Sequence, residues 1–103
     1  MRHLLAQGLQ LLERNFRSRG GEIDLIMRQG KTLVFVEVRY RQSCRYGSPL
    51  ETVTATKQRR LASAASHYLQ SRNLDLPCRF DVVGISGAQQ EKIEWIRDAF
   101  QAE

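Results

Sequence analysis

Glu22-Ile23-Asp24-Leu25-Ile26-Met27-Arg28-Gln29-Gly30-Lys31-Thr32-Leu33-Val34-Phe35-Val36-Glu37-Val38-Arg39 sets two apolar runs around one short polar break. The first run, residues 22–28, reads as a strand. Gln29-Gly30 is a two-residue turn in which Gly30 supplies the positive φ that tight hairpins need. The second run, residues 32–39, is apolar on both faces and rich in β-branched and aromatic side chains. That composition belongs to a central strand covered on both sides. The two runs form an antiparallel hairpin.

Upstream, Leu4, Leu5, Leu9, Leu11 and Leu12 mark residues 2–14 as a loosely patterned helix. Residues 15–19 are short and basic, an edge strand anchored by Phe16, and Gly20-Gly21 turns the chain. Downstream, residues 40–51 form a loop. Thr54 is a fair N-cap for a helix running to about residue 72. Within it Leu61, Ala64, Ala65, Tyr68 and Leu69 make one apolar face. Residues 78–86 and 92–96 read as two more strands, and residues 98–103 as a tail with at most one helical turn. The link from the central strand through the long helix to residues 78–86 has the length of a right-handed crossover. The expected fold is α/β (α+β): a mixed sheet, the long helix on one face, a shorter N-terminal helix nearby, and one domain over residues 1–103.

Two acids stand where a core should be. Asp24 lies between Ile23 and Leu25, and Glu37 between Val36 and Val38. A buried carboxylate is costly without a cation, a metal or several donors. Counting back from a turn at 29–30 pairs residue 24 with about 35 and residue 22 with about 37. Asp24 and Glu37 are then diagonal neighbours able to share one site. Arg39, two residues beyond Glu37, shares its face. Two carboxylates with the Val38 peptide carbonyl suit Mg²⁺ or Mn²⁺, hard cations that keep water in the rest of their shell. Such an ion polarises a phosphoryl oxygen and acidifies a bound water, while Arg39 neutralises developing charge. The competing reading is structural: ion pairs from Glu37 to Arg39 and from Asp24 to Arg17 or Arg41. A third strand acid, Asp81, reads as the structural partner of an arginine.

Charge points to the partner. The chain has 103 residues, 16 Lys plus Arg against 11 Asp plus Glu, and a net charge of +5. Residues 1–60 hold 12 of those basic groups and only 5 acids. A basic half rich in arginine matches phosphate oxygens, so the expected partner is nucleic acid. Lys57, Gln58, Arg59 and Arg60 open the long helix, where free N–H groups also attract phosphate. Arg41 and Arg45, interleaved with Tyr40 and Tyr46, extend that surface. No apolar run is long enough for a membrane span or a secretory signal, so a cytoplasmic protein without a membrane partner is expected. Cys44 and Cys78 are then reduced thiols, and the two cysteines and two histidines lack zinc spacing. A homodimer is allowed.

The same residues carry a family resemblance. Arg14-Asn15-Phe16-Arg17, Gly20-Gly21-Glu22-Ile23-Asp24-Leu25-Ile26, Leu33-Val34-Phe35-Val36-Glu37-Val38-Arg39-Tyr40-Arg41, Tyr46-Gly47-Ser48-Pro49, Lys57-Gln58-Arg59-Arg60-Leu61 and Cys78-Arg79-Phe80-Asp81-Val82-Val83 closely resemble the YraN family of bacterial proteins. That family resembles the restriction-endonuclease-like fold and the archaeal Holliday-junction resolvases. The resemblance implies a metal-dependent nuclease acting on DNA phosphodiesters, branched DNA among them, with Asp24 and Glu37 as metal ligands. Arg39 falls where a lysine is usual, and arginine stays charged, so it cannot serve as a base. The family usually has a longer N-terminal helix carrying an acid, and here no acid precedes Glu13. Both departures keep a second reading open, a non-catalytic nucleic-acid-binding module that retains the fold.

Overall fold

Thr32–Arg41 is the middle strand of a five-stranded mixed sheet, flanked on both faces by helix. The computed structural model describes residues 2–41, 49–87 and 92–101. Its elements are α1 (Arg2–Ala6), β1 (Gln10–Ser18), β2 (Gly21–Gln29), β3 (Thr32–Arg41), a 3₁₀ turn (Pro49–Thr52), α2 (Ala55–Ser71), β4 (Cys78–Ser86) and β5 (Lys92–Phe100). The strands lie in sequence order; β3 and β4 are parallel and the other neighbours antiparallel. A parallel pair needs a long crossover, and α2 supplies it.

Alternation along β3 divides the core. Leu33 and Phe35 pack under α2 with Leu61, Ala64, Ala65 and Tyr68, the helix face expected from the sequence. Val34 and Val36 face the other way, toward Leu4 and Leu9 around α1. Small alanines let α2 approach the sheet, and Tyr68 meets Phe16 edge-on with ring centroids 5.2 Å apart. Thr54 caps α2, its Oγ1 accepting the Lys57 N–H at 3.2 Å. No helix among the described residues is long and apolar enough to cross a membrane.

The structure corrects three expectations. The N-terminal helix covers only Arg2–Ala6, because Gly8 takes φ +89° and the chain then enters strand β1. Leu9 and Leu11 therefore alternate along an extended chain instead of lining a helix. The last strand continues to Phe100 in place of a frayed tail, across a bulge in which Asp98 has φ +50°. The hairpin turn is Gly30-Lys31, since Gln29 pairs with Thr32. That one-residue slip moves every β2–β3 pair, so residue 24 does not face residue 35. Residues 42–48, and with them the proposed contact residue Arg45, lie outside the described residues.

Candidate metal and phosphate site

The β2–β3 register runs from Gln29↔Thr32 to Leu25↔Val36, and one further step sets Asp24 opposite Glu37. The ladder gives way there. Ile23 and Ile26 both pack under α2, a spacing that strict alternation forbids, so β2 rotates between them. The Asp24 carboxylate fills the resulting gap, with Oδ2 accepting the Val38 N–H at 2.8 Å. A side chain thus does what a strand carbonyl would otherwise do, and the carboxylate is fixed against β3. The same displacement makes Asp24 and Val38 border space on both faces of the sheet.

On the α2 face, Asp24, Glu37 and Arg39 line an open cleft of about 640 Å³. The carboxyls of Glu37 and Asp24 are within hydrogen-bonding reach of each other. Glu37 is pushed up from 4.5 to about 8, first by burial, then by the hydrogen bond and negative charge of Asp24. Arg39 and Lys57 pull in the opposite direction without overcoming these effects. Two carboxyls in contact cannot both ionise cheaply, so near neutrality the pair retains a proton. Arg39 is oriented by Nε donating to Thr52 Oγ1 at 3.0 Å, from the turn that leads into α2. Among the described residues no Glu37–Arg39 ion pair forms, and Arg17 pairs with Glu22 at 3.4 Å in place of Asp24.

Lys57 and Arg60, one turn apart on α2, close the cleft. Gln58 and Arg59, grouped with them by sequence, point to the other flank: Gln58 Nε2 donates to the Val53 carbonyl and Arg59 to Thr56 Oγ1. Arg41 continues β3, and its side chain lies outside the described residues.

The opposite wall was not expected. Arg17, Arg19 and Glu22 line it from the β1–β2 turn, which rests on α2 through two glycines. A Cβ on Gly20 would overlap Ser63, and one on Gly21 would overlap the Arg60 carbonyl. Gly20-Gly21 is legible as a turn, but only the packing shows that it holds two arginines against the cleft. The lining therefore brings Arg17, Arg19, Arg39, Lys57 and Arg60 around Glu22, Asp24 and Glu37.

Asp24 and Glu37 fit a hard divalent cation. They are adjacent oxygen donors, and a cation would relieve the repulsion that a proton now relieves. Among the described residues no group of three His, Cys, Asp or Glu is close enough to enclose a metal. The remaining coordination positions would fall to water, a peptide carbonyl such as that of Val38, and substrate oxygens. Glu13, the earliest acid, takes no part; it is bound by Arg72 at 2.9 Å.

Residues 1–85 match the model of a family described as Uncharacterised protein family UPF0102. A UPF0102 protein of Chromohalobacter salexigens is 56% identical over 100 residues, covering 96% of this chain and 81% of that protein. One from Nitrosomonas europaea is 57% identical over 97 residues, covering 94% and 82%. One from Shewanella amazonensis is 51% identical over 100 residues, covering 97% and 90%.

Proposed function

The chain belongs to the UPF0102 (YraN) family, and from that premise we propose that it is a divalent-metal-dependent nuclease hydrolysing DNA phosphodiesters. One observation carries the reading: Asp24 and Glu37 press two carboxyls together at the floor of a cleft whose walls hold five cations and one further acid, Glu22. A nucleic-acid backbone brings negative charge to such a cleft, and Mg²⁺ or Mn²⁺ is the group that lets acids and phosphates share it. The five-stranded mixed sheet with its long crossover helix is in keeping with the restriction-endonuclease-like fold that the motifs resemble.

Asp24 and Glu37 would hold the cation, Asp24 being positioned by the Val38 N–H. When bound, the ion supplies Lewis-acid polarisation of a phosphoryl oxygen and lowers the pKa of a coordinated water. Arg39 contributes a fixed charge beside the scissile phosphate, with its guanidinium set by Thr52. Arginine neither takes nor gives a proton at neutral pH, so its role is electrostatic. Lys57 and Arg60 on one wall, Arg17 and Arg19 on the other, hold flanking phosphates.

Cleavage of single-stranded and duplex DNA, measured over a Mg²⁺ and Mn²⁺ titration beside Asp24→Asn, tests the proposal. Metal-dependent cleavage lost in the variant is expected. DNA binding without cleavage at any metal concentration would overturn it in favour of a non-catalytic binding module, a reading that the two-acid ligand set favours.

A further inference from the structure

Where β2 rotates, its outer neighbour β1 rotates with it. Ile23 and Ile26 of β2 both pack under α2, and their partners on β1 are Phe16 and Glu13. Phe16 joins the cluster under α2, and Glu13 reaches Arg72 at the end of that helix, so this pair also shares the α2 face. Under strict alternation residues three apart lie on opposite faces. Arg14 pairs with Leu25 and Phe16 with Ile23, which sets Asn15 opposite Asp24 in the step between. The register is unchanged across that step, so the two strands turn together at Asn15 and Asp24.

The unusual backbone conformation falls on β1. Asn15 takes φ +51°, and no residue of β2 from Ile23 to Ile26 has a positive φ. After glycine, asparagine and aspartate enter the left-handed region most readily, whereas an alanine Cβ crowds the following carbonyl there. With Phe16 turned to the α2 face, Ile23 follows its partner. Continuing the β2–β3 register would set Ile23 opposite Val38, but Val38 packs on the other face, and the ladder stops. The Val38 N–H then donates to the Asp24 carboxylate at 2.8 Å. The sheet uses the same device at its other acid: Asp98, at φ +50°, donates its N–H to Asp81 Oδ1 at 2.9 Å.

We infer that Asn15 is a positioning residue of the candidate metal site, its left-handed backbone turning β1 and β2 so that Asp24 is held on the Val38 N–H beside Glu37. Asn15 acts through Asp24. The inference rests on the metal reading above for its purpose and on the strand geometry for its mechanism. It also gives the motif Arg14-Asn15-Phe16-Arg17 a part in the site, since Phe16 anchors the strand under α2 and Arg17 lines the cleft.

The test compares Asn15→Ala and Asn15→Gly in the full chain, by amide hydrogen exchange and by calorimetric titration with Mn²⁺. Alanine disfavours the left-handed region and glycine does not. In Asn15→Ala the Val38 amide is expected to exchange about tenfold faster relative to that of Val34, which lies in the regular part of the same ladder, and Mn²⁺ to bind about tenfold more weakly. Asn15→Gly is expected to restore both to within about threefold of wild type. Unaltered Val38 exchange or unaltered Mn²⁺ affinity in Asn15→Ala would overturn the inference, as would a glycine variant no better than the alanine one. An alanine variant that fails to fold, or whose Val34 and Val38 amides lose protection equally, would overturn it too, because Asn15 would then serve the sheet as a whole. A wild-type protein that binds no Mn²⁺ would overturn the metal reading alone, and Val38 exchange would still decide whether Asn15 places Asp24.

Discussion

Replacing Glu37 by glutamine is expected to stabilise the protein at alkaline pH and to remove its response to divalent metal. In the folded chain the Glu37 carboxyl titrates at about 8 instead of 4.5, through burial and the neighbouring Asp24. A folded-state value above the unfolded one means that the native protein holds the proton more tightly. The stability this confers is complete below pH 4.5, falls as pH rises, and is gone above about 8. Each tenfold difference in proton affinity corresponds to about 1.4 kcal/mol. Solvent reaches this half-buried group, and screening reduces the total to about 1–2 kcal/mol. For a domain of this size that is a decline in Tm on the order of 5–10 °C. Glutamine cannot ionise, so the variant should melt above wild type by that margin at pH 8.5 and within a degree or two (roughly) at pH 5. Mn²⁺ at about 100 times its Kd should add about 2.7 kcal/mol to wild type at pH 8 and nothing to the variant. Thermal melts across pH, with chelator and with Mn²⁺, provide the readout. A flat wild-type profile, or a variant that parallels wild type at every pH, would refute the reasoning.

Three further outcomes follow from the cleft. Joint replacement of Lys57 and Arg60 by alanine should flatten the log–log salt dependence of DNA binding by about 2, while Arg59→Ala, facing away, should leave it unchanged; equal effects in a binding titration would remove the distinction between the two flanks. Arg39→Lys should retain cleavage within about tenfold and Arg39→Ala should lose on the order of a hundredfold, because a fixed charge is what the site requires. Unchanged cleavage by a well-folded Arg39→Ala protein would exclude the role. Gly21→Ala should lower stability by about 1–3 kcal/mol, since its Cβ meets the Arg60 backbone; a melt equal to wild type would show that the β1–β2 turn does not rest on α2.

The hairpin and long helix were legible because their patterns have single solutions. Val34, Phe35 and Val36 in a row exclude a solvent face, and Leu61, Ala64, Ala65 and Tyr68 define one helical stripe. The N-terminal segment was ambiguous, since five leucines in nine residues satisfy helix and strand alike until Gly8 breaks the helix. Two features were beyond pattern reading. Placing the turn at Gln29-Gly30 instead of Gly30-Lys31 left Asp24 and Glu37 diagonal when they are opposite. The walls of the cleft depend on where a glycine hairpin meets α2, a tertiary contact with no local signal. Helical spacing alone could have separated Lys57 and Arg60 from Arg59, because residues three apart share a face and adjacent residues do not.

The two kinds of acid in this sheet show why the pair at residues 24 and 37 is the informative one. Asp81 is 1% exposed and fully provided for: Arg79 Nε donates at 3.1 Å, Trp95 Nε1 at 2.8 Å and the Asp98 N–H at 2.9 Å. The bulge that places Asp98 there and the arginine two residues back make Asp81 a closed structural unit, as the sequence suggested. Among the described residues Asp24 accepts from one backbone N–H, and Glu37 is set against another carboxyl. A sheet that needed only to bury an acid had the means to neutralise it, and at Asp81 it did so. At Asp24 and Glu37 the cations line the walls, where an incoming phosphate would meet them, and the two carboxyls stand side by side at the floor. That distribution leaves stability unclaimed in the free protein and makes it available to a cation and a polyanion arriving together, which is the economy expected of a binding site and not of a core.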